Sequence, residues 1–362
     1  MSEATEAPKN PEGIPWGANN PTRTQRVVVA LLIASVAGGM IAFHLTYAGL
    51  YRTDFSQLKF GAEAMLRGAD PYKLVGMGQV FESRWPVMYP ATAYVAAIPF
   101  TPLSDIAAGA LFIAIGAFLL AYGSTAGTWH RLPMFASYAF IHNVQLAQWS
   151  PLVTAMLFLP WLAVFAAAKP QQALPILVCS PSRRSFQAAA VGGLVLFAIS
   201  IALFPTWPWE WLHIVRGGVQ MQPPVIHLGG VCVLLVLIRW RRQEAWLVAL
   251  MACMPASWAW YNLLILLAAV PKTYREAAML SLVSSFGALL GINILPGPST
   301  PTSFPHWWAF QVAFGYLPAV ILILTRPNVR EAAPWSEPAR FRQARTGVNS
   351  SIGPVDALDL RQ

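Results

Sequence analysis

The sequence predicts an all-α polytopic membrane protein, with about ten to twelve transmembrane or re-entrant helices and an amphipathic outer-surface helix after the first span. Three observations predict it. Apolar residues make up 56% of the 362-residue chain and Asp, Glu, Lys and Arg only 11%, where a soluble domain carries roughly 25%. The mean hydropathy of +0.51 comes from long uncharged runs, which excludes a water-soluble globule. The 30 prolines argue for broken helices, because each removes a backbone donor that neighbouring protein must replace inside a bilayer.

A crossing needs roughly 20 apolar residues. The clearest candidates are residues 27–47, 105–123, 149–168, 186–204, 275–295 and 306–325. Shorter or interrupted runs at 88–103, 131–147, 171–180, 225–240, 245–257 and 258–271 are expected to cross or re-enter. Together they form one membrane domain over residues 25–326, between polar tails at 1–24 and 327–362 that have the composition of disordered chain. No small-residue cleavage site follows the first run, so it is expected to remain as an anchor. The Gly38-Gly39 pair inside it reads as a close helix contact.

A net charge of +9 on a soluble protein would point to nucleic acid, but here many of the Lys and Arg sit in short runs between apolar segments. They read as topology signals, and no nucleic-acid partner is expected. With an even number of crossings, Arg183-Arg184, Arg239/Arg241/Arg242, Lys272/Arg275 and the arginines from Arg326 to Arg345 share one face with both termini. The positive-inside rule makes that face cytoplasmic. Loops 48–87, 124–130, 205–224 and 296–305 then lie on the opposite face. Cys179, Cys232 and Cys253 form no Cys-x-x-Cys or Cys/His pair, so neither a disulfide framework nor a zinc site is expected.

Acidic residues carry the sharpest signal. Outside the tails only Asp54, Glu63, Asp70, Glu82, Asp105, Glu210, Glu244 and Glu276 remain, and the first four share the single loop 48–87. From Asp54 onward, Phe55, Leu58, Ala62, Met65 and Leu66 recur at helical spacing, which predicts an amphipathic helix along the membrane surface, ended by Gly68 and Asp70-Pro71. Asp54 is thereby set where the first span leaves the bilayer. It also suits a helix N-cap with Gln57 completing the capping box, and Asp70 before Pro71 suits turn chemistry.

The order of short motifs that follows resembles glycosyltransferase family 87. Asp54-Phe55 stands near the exit of the first helix, Gly68-Ala69-Asp70-Pro71-Tyr72 closes the amphipathic stretch, and Met88-Tyr89-Pro90 opens the next helix. Gln148-Trp149-Ser150-Pro151 and Lys169-Pro170-Gln171 resemble that family's Gly-Gln-x-x-Pro and Lys-Pro-Gln elements, and Tyr261-Asn262-Leu263 its Tyr-Asp-Leu segment. The likeness covers about residues 27–325. The chain departs from the pattern at Ala91 after Tyr89-Pro90, where the family has a second proline, at Ala147 where it has glycine, and at Asn262 where it has aspartate.

The resemblance implies the C-type glycosyltransferase fold in the bacterial cytoplasmic membrane, with the site facing outward. It implies a sugar, mannose or a similar hexose or pentose, carried on a polyprenyl phosphate as donor, and a lipid or glycan acceptor. It also implies Asp54 as general base in an inverting transfer, the carboxylate taking the proton of the attacking hydroxyl. The departing phosphate needs cations in a poorly hydrated site. Lys169, Arg84, Arg216 and His227 are the expected donor-phosphate contacts, with Arg131, His130, His142 and His213 further candidates. Lys169, between Ala166-Ala167-Ala168 and Pro170, is either functional by its apolar setting or a lysine snorkelling to an interface. Sugar or acceptor contacts are expected from Asp70, Tyr89, Gln148, Trp85 and Glu210, the last among Trp207, Trp209 and Trp211, which equally suit an interfacial aromatic belt. No Asp-x-Asp pair occurs near the membrane, so no metal and no cofactor are expected. The rival readings are a transporter or flippase for a lipid-linked or small solute, and an inactive member serving as an assembly partner; no two similar halves of the kind transporters show are visible.

Overall fold

A computed structural model describes residues 20–47, 53–76, 78–83, 87–217, 222–255, 260–295 and 304–328. The polar tails before residue 20 and after residue 328, and most of the 296–305 loop, lie outside the described residues. Helix starts follow their caps. The Gln25 N–H donates to the Thr22 hydroxyl at 3.2 Å and the Thr22 N–H to Gln25 Oε1 at 2.9 Å, a reciprocal cap that opens α1 (Arg23–Tyr47). After it come α2 (Asp54–Leu66), ended by Gly68 at φ +72°, and the single turn α3 (Pro71–Leu74). The positive φ is one that glycine adopts without a Cβ clash. Two-residue strands β1 (Val75–Gly76) and β2 (Phe81–Glu82) pair in parallel. Helix α4 (Ala91–Ala97) continues as a 3-10 turn, Ile98–Phe100, and Ser104 caps α5 (Asp105–Ser124).

The run predicted as one span at 149–168 is broken. Following α6 (Tyr138–Gln145), α7 (Ser150–Ala155) stops early, and Leu159 leaves helical geometry at φ −125°, ψ 82°. Pro160 is the cause, because its ring crowds the preceding residue out of the α region. The chain goes on as the 3-10 segment Pro160–Ala168 and then α8 (Pro170–Cys179), α9 (Arg183–Leu203) and α10 (Trp207–Gly217). A second 3-10 segment, Gly230–Arg239, leads to α11 (Gln243–Cys253), α12 (Leu263–Ala269) and α13 (Tyr274–Ile294). Then α14 (Phe304–Gln311), a π-helical turn Val312–Tyr316 and α15 (Leu317–Leu324) form one continuous rod.

Among the described residues five helical segments are long and apolar enough to cross a membrane: α1, α5, α9, α13 and His306–Leu324. They match five of the six clearest predicted spans. The remaining apolar runs form short helices. At 1.5 Å per residue, ten residues reach only about 15 Å, half of a roughly 30 Å hydrocarbon layer.

Small residues let α1 and α5 pack antiparallel. Ala30, Ala34, Ala37 and Ile41 are buried, and a side chain on Gly38 would stand 3.3 Å from the Ala110 carbonyl. Arg26 closes the seam: its guanidinium donates to the Tyr122 carbonyl at 2.6 Å and lies 4.1 Å over that ring. The start of α1 therefore meets the end of α5. The same end of the bundle carries the arginines that the sequence sets on one face. It also holds the end of α5 and the turn into Arg131, so the 124–130 loop expected on the opposite face lies here. The reason is that the 88–103 run is only the short α4 and a 3-10 turn, and α5 starts at the α2 end, where Asp105 meets Lys59. Arg239 donates to the Leu324 carbonyl at 2.7 Å, and Arg326 donates to Val270 O at 2.9 Å and to Glu276 at 2.7 Å. Arg242 and Arg326 flank Glu244 at 3.1 and 3.4 Å, with Lys272 at 3.7 Å.

The opposite end is roofed by α2. Its predicted stripe is apolar as expected, but Phe55, Leu58, Ala62 and Met65 are covered by protein and not by a membrane surface. Phe55 stacks on Phe112 of α5 at 4.0 Å between ring centres, and Gly61 lies against the Tyr94 ring of α4 so closely that a Cβ would clash. Lys59 reaches Glu63 at 2.7 Å and Asp105 at 2.9 Å, tying α2 to the start of α5.

Arg131 sits at the basic end, where it donates to Ala268 O of α12 at 3.0 Å and to Ser124 O of α5 at 3.3 Å. Buried carbonyls without a donor cost about 1–3 kcal/mol. Arg131→Met is therefore expected to destabilise the protein by about that much, read as a lower thermal midpoint in detergent; an unchanged midpoint would deny the double cap its structural weight.

Candidate functional site

Beneath the roof helix, three chain breaks aim side chains at Asp54. The first is the start of α2 itself. Thr53, not Asp54, is the N-cap: its hydroxyl accepts the Ser56 N–H at 3.1 Å and its N–H donates to Ser56 Oγ at 3.2 Å. The capping box read at Asp54 and Gln57 thus lies one residue earlier, and Gln57 reaches Ser83 Oγ at 3.1 Å instead. As the first helical residue, Asp54 keeps its carboxylate free of capping while the helix N-terminus favours its charge.

The second break ends α6. Ala147 adopts φ +47°, and the Gln148 and Ala147 amides donate back to Asn143 O and Val144 O, each at 2.9 Å. This is the paired closure of a left-handed helix end, where glycine is the usual residue. Leu146 O in the same turn accepts the Asp54 N–H at 3.1 Å. One turn thereby docks the start of α2 and delivers Gln148 beside Asp54. The third break is Lys169, at φ −142°, ψ 68° between the 3-10 segment and α8.

The side chains converge. Gln148 Nε2 and the Tyr261 hydroxyl, the latter at 3.0 Å, both donate to Asp54 Oδ2. Gln148 Oε1 accepts from the Tyr89 hydroxyl at 3.0 Å and from Lys169 Nζ at 2.8 Å. Lys169 also faces the Tyr261 ring at 4.9 Å and the Tyr89 ring at 5.9 Å. Gln148 and Lys169 are 1% and 2% exposed, forming a floor, whereas Asp54 is partly open. Among the described residues no donor reaches Asp54 Oδ1 and no carboxylate lies within ion-pair distance of Lys169. Burial raises the Asp54 carboxyl above its ordinary value, against the Tyr261 hydrogen bond and the Lys169 charge, which lower it.

A second layer fixes the three carriers. Buried Gln172 donates to Ser150 Oγ at 3.1 Å and to Asn262 Oδ1 at 2.7 Å. Ser150, Gln172 and Asn262 follow Gln148, Lys169 and Tyr261 by two, three and one residues, so one amide clasps all three segments.

Of the residues singled out from sequence, Asp54, Tyr89, Gln148 and Lys169 come together. Asp70 does not join them directly: it caps α3 through the Tyr72 N–H at 2.9 Å and pairs with Lys73 at 3.1 Å, while the Tyr72 hydroxyl donates to Tyr89 O at 3.0 Å. Glu210 and Arg216 lie on α10, which is anchored by Trp211 Nε1 donating to Met88 O at 3.0 Å; Arg216 is exposed. His227 stacks on Trp308 with ring centres 5.3 Å apart, away from this hydrogen-bonded set. Arg131 belongs to the basic end, and His142 stacks behind Tyr261 at 5.9 Å. Arg84 and Trp85 lie outside the described residues. Sequence reasoning quoted Tyr261 only as part of a motif and gave it no role, and it read Gln171 where the buried, bonded residue is Gln172. The available signal for Tyr261 was a hydroxyl beside an asparagine at the mouth of an apolar run.

Among the described residues no three His, Cys, Asp or Glu side chains gather as a metal site. Comparison with known proteins finds no matching family model, no matching curated protein and no matching solved structure.

Holding alanine in the left-handed region costs about 1–2 kcal/mol, partly offset for glycine by its freer unfolded chain. Ala147→Gly is therefore expected to stabilise the protein by about 1 kcal/mol, seen as a higher thermal midpoint, and a lower midpoint would mean the turn is not under that strain.

Proposed function

We propose that this protein is a membrane glycosyltransferase of the C-type fold, moving a hexosyl or pentosyl unit, mannose or a similar sugar, from a polyprenyl phosphate to a hydroxyl of a lipid or glycan. The reading rests on the motif order described above and on one observation: among the described residues Asp54 has its Oδ2 held by two donors and no donor on its Oδ1, beside a buried lysine that lacks a carboxylate partner.

That arrangement suits the chemistry. As the acceptor oxygen attacks the anomeric carbon, its proton passes to Asp54 Oδ1 and the bond from that carbon to the phosphate oxygen breaks on the opposite face, inverting the centre. The electron pair leaves with the phosphate, whose growing charge Lys169 meets with N–H groups not used by Gln148. Tyr89 and Tyr261 supply flat faces next to this centre. In this reading the basic end of the bundle and both termini face the cytoplasm, the site opens outward from the bacterial inner membrane, and the shorter helices complete the crossings or re-enter.

Incubating membranes with labelled polyprenyl-phosphate sugars tests the activity. Solute uptake or lipid flipping by purified protein in liposomes, without a glycosylated product, would favour a transporter instead. Asp54→Asn is expected to leave the thermal midpoint nearly unchanged while lowering transfer by about 10²–10⁴-fold, the usual contribution of a general base. Retained transfer would remove Asp54 from that role.

The pH dependence has a definite sign. Transfer requires the ionised carboxylate, so the rate falls as acidification protonates Asp54. Because burial raises its pKa, the acid limb is expected to begin at higher pH than for an exposed aspartate. A rate independent of pH across the acid range would contradict this assignment.

A further inference from the structure

Building on that reading of Asp54 and Lys169, we propose that Gln148 is a positioning residue that keeps the acid and the amine of the site apart, so that each faces the substrate and not the other. A carboxylate and an ammonium attract more strongly as the effective dielectric falls. In a poorly hydrated pocket the two would close into a direct pair, and the oxygen and N–H groups needed by the substrate would be turned on each other. No direct pair forms here. The Gln148 side chain stands between them, donating through Nε2 to Asp54 Oδ2 and accepting through Oε1 from Lys169 Nζ at 2.8 Å.

The amide can take only one orientation. Its oxygen collects two donors, Lys169 Nζ and the Tyr89 hydroxyl, and its nitrogen faces a carboxylate. A flipped amide would set N–H groups against an ammonium and oxygen against oxygen. Each charged group is thus tethered through one atom only. Among the described residues Asp54 keeps Oδ1, since Tyr261 also binds Oδ2, and Lys169 has one hydrogen-bond acceptor for its three N–H groups. The spacer has no titratable proton, so it aligns the pair without exchanging protons with either member. Its own place is set by the left-handed turn at Ala147 and by nearly complete burial.

The titratable groups around the carboxylate come from four segments: Lys169 before α8, Tyr89 before α4, Tyr261 before α12 and, behind Tyr261, His142 of α6. A hydrophobic carbodiimide modifies a carboxyl only in its protonated form, so labelling of Asp54 against pH reads this balance without any transfer assay. The full chain in native membranes is labelled and mapped by mass spectrometry. In Gln148→Met the carboxylate is expected to collapse onto Lys169, and the pH of half-labelling should fall by about one unit or more. Adding Lys169→Met should carry it back above the wild-type value, which a purely structural role for Gln148 would not do. Gln148→Asn, an amide too short to span the gap, should move the same way and serves if the methionine variant does not accumulate.

An unchanged or raised half-labelling pH in the single variants overturns the proposal. So does a wild-type Asp54 that never labels, because its free oxygen would then not be open. If the shift and its reversal occur but no sugar transfer is ever detected, the spacing role stands and the enzymatic reading falls.

Discussion

A single uncharged amide, bonded at one end to a carboxylate and at the other to an ammonium, is the constraint around which this end of the protein is organised. Where water is scarce, buried polar groups must find partners within the chain, and a charge without one is costly. Gln148 satisfies part of both charges at once. Its rigidity is borrowed from farther out. The turn at Ala147 sets its backbone, and Leu146 of the same turn receives the first amide of α2, so the acid and its partner are placed by one local structure.

The rest of the fold holds three broken segments in register around that line. Gln148, Lys169 and Tyr261 each stand where a helix fails: after a left-handed turn, before Pro170, and at the mouth of α12. Such breaks expose backbone that an apolar setting tolerates only when protein covers it. Gln172 ties the three segments into one unit by donating to the Ser150 and Asn262 side chains. The opposite end of the bundle uses arginine for a similar purpose. Arg26, Arg131, Arg239 and Arg326 each donate to carbonyls at helix ends, turning charges that sequence assigns to topology into mechanical closures as well.

How much of this was legible depended on the range of the interaction. Helix ends were readable where the cap is local, as at Gly68, Asp70 and Pro71, and the small-residue seam was readable in part, since Gly38 makes the close contact while a side chain on Gly39 would point into open space. The capping box at the start of α2 was read one residue late, because Thr53-Ser56 and Asp54-Gln57 offer nearly the same pattern and only the backbone of Leu146 chooses between them. The amphipathic stripe of α2 was correct at Phe55, Leu58, Ala62 and Met65 but not at Leu66, which is exposed, and the buried four lie against protein. Periodicity reports that a face is apolar but not whether lipid or protein lies against it.

By itself the sequence determined that the chain has the composition of a membrane protein, that five of its six clearest apolar runs are long helices, that a set of arginines gathers at one end, and that carboxylates concentrate after the first span. These are properties of composition and of neighbours along the chain. Tertiary structure alone decided that Gln148 and Tyr261 meet on Asp54 and that Lys169 joins them through Gln148, across separations of 21 to 207 residues, and that Asp70, equally prominent in sequence, does not. Hydrogen bonds reach only about 3 Å, so their partners are fixed by how helices cross and where they break, and no local pattern in the chain encodes that crossing.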